Sequence, residues 1–318
     1  MLDSETHRWT HPATILVATD LGDLDHLMPF AMEQAGETGA RLILLHVFSA
    51  SAAITADSAG MPYYDAAGAL ETAEQVLRPW CEQAARSGIR CDALVREGHA
   101  TYQIAAAVRQ FQADRVLVGT RSRSKIGKLL IGSVAEQVLR SVYLPVITVG
   151  PEAHLTVDSS QEHAVERVVL HATTLRETSR PSAALACQIA AAQKARLVLL
   201  HVLPHIPEMQ RKGLPTGLDS AAMVDLRILA EQTGAGCCSA VEPIVAHGNP
   251  SIEILALAQE RHASLIVLGA TRRSAFENLT RDRTVYRVLA HAHCPVLTLR
   301  EPQVMPEEIY AETSAARH

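Results

Sequence analysis

The sequence predicts an α/β fold: two tandem, doubly wound domains, each built on a five-stranded parallel sheet of the Rossmann-like type. The length of 318 residues suits two domains, since single domains usually run to roughly 100–200 residues. The chain also repeats itself at about half of its length, and short apolar runs alternate with longer helical patterns in each repeat. Both observations favour a duplicated sheet covered by helices.

Three pairs of matching segments carry the repeat. The first pair is identical at seven of nine positions and is separated by 155 residues, whereas the other two are separated by 150. The five-residue difference falls between the second and third strands, where surface loops absorb length changes cheaply. The pairs are ARLILLHVF at 40–48 with ARLVLLHVL at 195–203, ADRVLVGT at 113–120 with ASLIVLGA at 263–270, and LPVITV at 144–149 with CPVLTL at 294–299.

The repeat divides the chain into a first domain at 1–152, a second domain at 163–301 and a polar tail at 302–318. The apolar runs are continuous or nearly so, as expected of strands that are buried on both faces of a parallel sheet. The first domain is predicted to have strands at 15–18, 42–47, 92–95, 116–118 and 146–149, and helices at 27–38, 66–87, 102–112 and 134–142. Strands of the second domain are predicted near Val168, Leu197, Val241, Leu265 and Val296.

Composition and charge exclude several classes of protein. A hydrophobic content of 48% with 20% charged residues is typical of a folded chain, and no apolar run reaches the roughly 18 residues of a membrane span. A net charge of −5 argues against nucleic-acid binding. The N-terminus lacks the apolar core of a signal peptide, so we expect a cytoplasmic protein whose six cysteines are reduced.

Candidate binding residues lie where the predicted strands end. Asp20 follows the first strand and Gly98 follows the third, so right-handed crossovers place both at one rim of the sheet. The loop after the fourth strand begins at Gly119 and ends at Gly132 and Ser133, where a helix starts. Its four basic residues, with no acid among them, favour an anion, and a helix N-terminus suits phosphate. The basic residues are Arg121, Arg123, Lys125 and Lys128.

A phosphate site at one end of the rim and an acid at the other suggest a nucleotide. Each feature also has a simpler interpretation, which for Gly98 is the most direct one. The basic loop could be a solvated turn, Asp20 could only cap the first helix, and Gly98 could only serve a tight turn. A metal site at His291, His293 and Cys294 is disfavoured because residues two apart do not share a helix face.

The motifs together resemble the universal stress protein family over nearly the whole chain. The Gly-x2-Gly-x9-Gly-Ser pattern is present with Ser122 in place of the second glycine, which makes a left-handed backbone there less accessible. The other matching features are the strand ending in Ala-Thr-Asp20, the LLHV run ending at Val47, Glu97-Gly98 before a helix, and the closing LPVITV strand.

The resemblance implies a fold of the adenine nucleotide alpha hydrolase type and a site for ATP, or for ADP or AMP, in the first domain. It implies that Asp20 and Val47 hold the base and ribose, with Gly98 on the same rim, and it leaves room for Mg²⁺. The phosphate-binding residues implied by the resemblance are Val118, Gly119, Arg121, Ser122, Gly132, Ser133 and Val134.

The second domain departs from this pattern. Gly269 matches Gly119, but Arg272, Asp282 and Arg283 replace the residues at 122, 132 and 133, and Thr173 is placed opposite Asp20. A carboxylate where phosphate would approach a helix terminus is electrostatically unfavourable. We therefore expect no ATP binding by this motif in the second domain.

Three functions remain open at this stage. The first is a stress-response regulatory protein that binds a nucleotide, the second is a weak ATPase or nucleotidyl transferase, and the third is an interaction module without nucleotide. No positioned base or acid pair for an enzyme is recognisable, so at most slow ATP hydrolysis is expected. The apolar last strand of each domain would lie at a sheet edge, which predicts pairing of the two domains within one chain and allows a homodimer.

Overall fold

The computed structural model describes residues 7–56, 60–120, 133–154, 166–204, 217–234, 240–270 and 283–300. The first half contains β1 (Thr14–Thr19), α1 (Leu24–Thr38), β2 (Arg41–Phe48), β3 (Ile54–Ala56), β4 (Pro62–Tyr64), α2 (Ala66–Arg86), β5 (Cys91–Glu97), α3 (Ala100–Gln110), β6 (Arg115–Gly119), α4 (Ser133–Ser141) and β7 (Val146–Val149). The second half contains β8 (Val168–Ala172), α5 (Arg180–Ala192), β9 (Arg196–Leu203), α6 (Leu218–Gly234), β10 (Val241–His247), α7 (Pro250–Glu260), β11 (Leu265–Ala270), α8 (Arg283–His291) and β12 (Val296–Arg300). No described helix is long and apolar enough to cross a membrane.

Ten strands form one sheet in the order β10-β9-β8-β11-β12-β7-β6-β1-β2-β5. The five strands of each half are parallel to one another, which confirms the predicted fold class. The halves meet where β7 and β12 run antiparallel, with Ile147 opposite Leu297. The edge strands of the combined sheet are therefore β5 and β10.

The inner strands of the sheet are buried on both faces because helices cover both sides, whereas the edge strands β5 and β10 are partly exposed. All six positions of β1 are buried, and its side chains alternate between two cores. Ile15 and Val17 pack with residues of α1 and α2, whereas Leu16 and Ala18 pack with residues of α3 and α4. This two-sided burial explains why the apolar runs in the sequence are continuous.

Two features of the first half differ from the predicted elements. The hairpin of β3 and β4 was not predicted, because each strand has only three residues and those of β3 are exposed, so neither shows an apolar pattern. Helix α1 begins at Leu24 rather than at 27, and Pro29 lies inside it. Pro29 is the sixth residue of the helix, beyond the first turn, so the hydrogen bond that an N–H there would donate to the Asp25 carbonyl is missing.

Polar contacts accompany the strand pairing between the halves. Arg167, just before β8, donates hydrogen bonds to Glu33 (3.1 Å) and to Glu37 on α1. Gln193 also donates to Glu37, at 2.9 Å. Burial raises the pKa of Glu33, the neighbouring Glu37 charge raises it further, and Arg167 lowers it. Arg167 therefore compensates two carboxylates that lie on the same helix.

Removing Arg167 should weaken the contact between the halves. Arg167→Ala leaves two half-buried carboxylates without their cation, and we expect the free energy of unfolding at pH 7 to fall by about 1–3 kcal/mol. Urea unfolding measures this difference. The control is Arg180→Ala, which breaks an exposed ion pair with Glu177 inside the second half and should cost less than about 0.5 kcal/mol. Equal effects of the two variants would contradict the inter-half role.

Candidate functional site

A cleft opens at the carboxyl ends of β1, β2 and β6. Strand β1 lies between β2, which follows it in the chain, and β6, which returns on its other side. This is the topological switch point at which open α/β sheets bind ligands. The cleft encloses about 200 Å³. Its lining residues are Ala18, Thr19, Asp20, Asp23, Leu45, His46, Val47, Ala100, Ile104, Val118, Gly119, Val134 and Ala135.

Five of the ten residues predicted for the site line this cleft: Asp20, Val47, Val118, Gly119 and Val134. The other five predicted residues are not among the residues that line the cleft. Ser133 begins α4, whose first turn supplies Val134 and Ala135 to the wall. Gly98 stands two residues before the lining residue Ala100. Arg121, Ser122 and Gly132 lie outside the described residues.

Asp20 occupies a tight turn at the mouth of the cleft. Its Oδ1 accepts a hydrogen bond from the Gly22 amide (2.9 Å), and the next residue, Leu21, has a left-handed φ of 72°. The N-cap position of α1 is Asp23. The alternative that Asp20 only caps this helix is therefore wrong, since its carboxylate stabilises the turn and remains exposed.

A second carboxylate, Asp23, lies in the cleft and was not predicted. It is only 4% exposed, and its Oδ1 accepts a hydrogen bond from the Thr19 hydroxyl at 2.6 Å. Burial raises its pKa to about 6, with a smaller contribution from the Asp20 charge, and the Thr19 hydrogen bond opposes the rise. The sequence offered only a weak signal, because an aspartate just before a helix usually indicates an N-cap.

Gly119 is required by the position of Asp23. A Cβ at residue 119 would overlap the Asp23 carboxylate and would also approach the side chain of Leu27. The Asp23 carboxylate can therefore lie in this position only because residue 119 lacks a side chain. This gives Gly119 a packing role that is independent of any ligand.

Gly98 forms the same turn as its counterpart in the second half. Its φ is +133°, and its amide donates a hydrogen bond to the Phe48 carbonyl at 2.9 Å. Gly248 has a φ of +141° and donates to the Leu203 carbonyl, also at 2.9 Å. Such backbone angles favour glycine, so the tight-turn interpretation accounts for Gly98 in the structure.

Two histidines establish how the halves correspond. His46 Nδ1 lies 3.0 Å from the Thr19 carbonyl oxygen, and His201 Nδ1 lies 2.9 Å from that of Thr173, so each ring donates to a carbonyl. Thr173 therefore matches Thr19, and the residue opposite Asp20 is Thr174. The expectation that Thr173 stands opposite Asp20 was wrong by one residue, because repeat spacings taken from later strands do not apply at this turn.

The equivalent turn in the second half contains no acid. The Thr173 hydroxyl bonds to the Ser179 hydroxyl at 3.0 Å, and Ser179 is the buried N-cap residue of α5. Ser179 thus occupies the structural position of Asp23. Arg272 and Asp282 lie outside the described residues, and Arg283 begins α8. In the described part of the chain, no three His, Cys, Asp or Glu side chains cluster as metal ligands would.

Comparison with known proteins agrees with this architecture. The structure is similar to that of a universal stress protein from Archaeoglobus fulgidus DSM 4304, with a TM-score of 0.67, 21% identity and coverage of 91% of this chain and 98% of that one. A functionally unknown protein from Pseudomonas aeruginosa PAO1 gives a TM-score of 0.59 at 18% identity, with 98% and 100% coverage. At these identities the likeness shows a shared fold.

Sequence comparison identifies the family. Over 140 residues the chain is 32% identical to the Thermus aquaticus protein named universal stress protein in QAH/OAS sulfhydrylase 3′ region, covering 43% of this chain and 97% of that protein. The model of the universal stress protein family matches two segments, residues 13–150 and 166–300. The chain belongs to the universal stress protein family and carries two copies of its domain.

Proposed function

We propose that the first half binds ATP, or the related nucleotides ADP or AMP, in the cleft beside β1, and that the chain acts as a cytoplasmic regulatory protein in stress responses. The observation that carries this proposal is the convergence of Asp20, Val47, Gly119 and Val134 on one cleft at the switch point of the sheet. These residues come from four separate parts of the sequence, and the family resemblance assigns all of them to a nucleotide.

The charges around the cleft favour one orientation of the nucleotide. Asp20 and Asp23 place carboxylates beside the end of β1, which disfavours phosphate there and suits the hydroxyl and amino groups of a nucleoside. On the other side, α4 begins at Ser133 and directs its positive N-terminus toward the cleft. The segment between Gly119 and Ser133 adds four cations and no acid. The base and ribose would thus lie near Asp20 and the phosphates near α4.

The volume of the cleft agrees with a nucleoside inside it and phosphates that extend beyond it. About 200 Å³ is less than the roughly 300–1,000 Å³ of pockets that enclose a whole drug-sized ligand. The described residues would enclose the nucleoside, and the phosphates would extend toward the N-terminus of α4. Mg²⁺ would accompany the phosphates at that end if it is required.

The second half is proposed to bind no nucleotide by this motif. Thr174 replaces the acid of the turn, Ser179 replaces Asp23, and Asp282 with Arg283 replaces the Gly-Ser pair before the helix. We propose that the halves, taken as domains at 1–152 and 163–301 with a tail at 302–318, act as one body through β7 and β12. An interaction module without nucleotide and a weak ATPase are the competing functions.

Calorimetric titration of the full chain with ATP, with and without Mg²⁺, tests the proposal. We expect one nucleotide bound per chain. Asp20→Ala removes an acceptor at the nucleoside end, and Gly132→Glu places a negative charge and a side chain at the phosphate end. Each should weaken binding by about 10-fold or more, as loss of a charged hydrogen bond does.

The matched control is Thr174→Ala, which alters the equivalent turn of the second half and should leave the affinity unchanged. Unchanged affinity in both Asp20→Ala and Gly132→Glu would refute the site. No binding by the unaltered chain would favour the interaction module, and rapid release of phosphate would favour the ATPase.

The buried carboxyl of Asp23 makes stability depend on pH in a predictable direction. Its pKa is about 6 in the folded protein, against an ordinary value of 3.8 for an aspartate, so the folded protein holds the proton more tightly than the unfolded chain. Stability is therefore lost as pH rises from about 4 to 7, at a cost approaching ~3 kcal/mol. Asp23→Asn stays neutral and should be about 1–3 kcal/mol more stable than the unaltered chain at pH 7.5.

That advantage should shrink by about half or more at pH 4.5, where Asp23 in the folded protein is already protonated. Urea unfolding at the two pH values measures it. Ser179→Ala alters the corresponding position of the second half without a titratable group, so its effect should not change with pH. If Asp23→Asn raised the free energy of unfolding equally at both pH values, ionisation of the Asp23 carboxyl would not be the cause of the lost stability.

A further inference from the structure

Two cysteines lie side by side at the outer edge of the first half. Cys81 is in the last two turns of α2, and Cys91 is the first residue of edge strand β5. The chain reverses between them through Gly88, which has a left-handed φ of 77°. The two Sγ atoms are 3.0 Å apart, and both residues are partly exposed. Neither thiol belongs to the nucleotide cleft.

The other described cysteines are placed differently. Cys187 on α5 and Cys294 before β12 are both 0% exposed, in the two cores of the sheet. Burial raises the pKa of the Cys294 thiol to about 12, which keeps it protonated and unreactive. An oxidant in water can reach the Cys81 and Cys91 pair, whereas it cannot reach these two without local opening of the fold.

A hydrogen bond joins the two thiols, and either sulfur can be its donor. With Cys91 as the donor, the bond stabilises the Cys81 thiolate and lowers the pKa of Cys81. The same bond raises the pKa of Cys91, and burial adds to the rise. A thiolate reacts with peroxide far faster than a thiol does, so Cys81 would be the nucleophile of the pair when Cys91 is the donor.

We propose that Cys81 and Cys91 form a thiol–disulfide redox site, oxidised by hydrogen peroxide or another small hydroperoxide and restored by a dithiol reductant. This site is independent of the proposed nucleotide binding. It also belongs to the first half alone, because Val241 occupies the place of Cys91 in the second half. Cys91 pairs with Leu42 of β2 as Val241 pairs with Leu197 of β9.

Hydrogen peroxide would oxidise the two thiols to a disulfide in two steps. The Cys81 thiolate attacks one oxygen of hydrogen peroxide, the O–O bond breaks, and the product is a sulfenic acid on Cys81 with hydroxide, which is protonated to water. The Cys91 sulfur then attacks the Cys81 sulfur, the S–O bond breaks, and the Cys91 proton leaves with the hydroxide as a second water. Two thiols lose two electrons and two protons, and one peroxide is reduced to two waters.

The consequence is a covalent link between the end of α2 and the start of β5. A disulfide here closes a short loop, which reduces the freedom of the unfolded chain. It ties down an edge strand at the end opposite to Gly98 and the cleft. Oxidation should therefore stabilise the first half without altering the lining of the cleft.

Peptide mapping of the oxidised full chain tests the proposal. Cys237→Ser and Cys238→Ser are introduced first, so that this adjacent pair does not compete. The reduced protein is treated with a small excess of hydrogen peroxide, alkylated, digested with trypsin and examined by mass spectrometry without reduction. Trypsin cuts after Arg86 and Arg90 and so separates the two cysteines. We expect a linked pair of peptides, one ending at Arg86 and the other spanning 91–96, that disappears on treatment with dithiothreitol.

Single variants test the assigned roles. In Cys91→Ser the intermediate should persist and label with dimedone on Cys81, whereas in Cys81→Ser labelling of Cys91 should be lower by about 10-fold or more. Cys187→Ser is the matched control and should keep the linked peptides. Absence of the linked peptides, while Cys81 is oxidised beyond the sulfenic acid, would overturn the proposal. So would equal linkage of Cys81 to Cys187 or Cys294.

Discussion

The burial of parallel strands on both faces is the constraint on which the rest of this structure depends. Strands such as β1 cannot turn either face to water, so helices must cover both sides and the chain must return by crossovers. Crossovers of one hand bring the carboxyl ends of β1, β2 and β6 to one rim. The cleft forms beside β1, because the chain continues to β2 on one side of this strand and later returns to β6 on its other side.

At that point the first half carries an arrangement that is unfavourable for stability. Asp23 is buried beside Asp20, and its carboxylate fits only because Gly119 has no side chain. The hydrogen bond from the Thr19 hydroxyl compensates the carboxylate in part, and backbone hydrogen bonds contribute less. Buried charge with partial compensation is typical of sites kept for function rather than for stability. The shape of the cleft and the raised pKa of Asp23 thus both result from the packing of Asp23 against Gly119.

The two halves show how one scaffold can support different chemistry. Both repeat the histidine-to-threonine contact and the glycine turn after the third strand of the half, so the backbone at the rim is the same. They differ in the side chains at equivalent positions, with Ser179 in place of Asp23 and Val241 in place of Cys91. The features that we assign to nucleotide and to peroxide therefore belong to the first half.

The sequence alone determined the fold class, the duplication and most strands and helices, because continuous apolar runs and repeated segments record burial directly. It also indicated Asp20 and Gly119, since residues after parallel strands meet at one rim, and the family resemblance implied Val47, Val118 and Val134. It could not reveal that Asp23 lies in the cleft or that Cys81 adjoins Cys91, nor that Thr174 stands opposite Asp20. Those relations are distances between elements, and they arise only when helices pack on the sheet. Hydrophobic periodicity specifies which face of an element is buried, whereas tertiary packing decides which side chains meet.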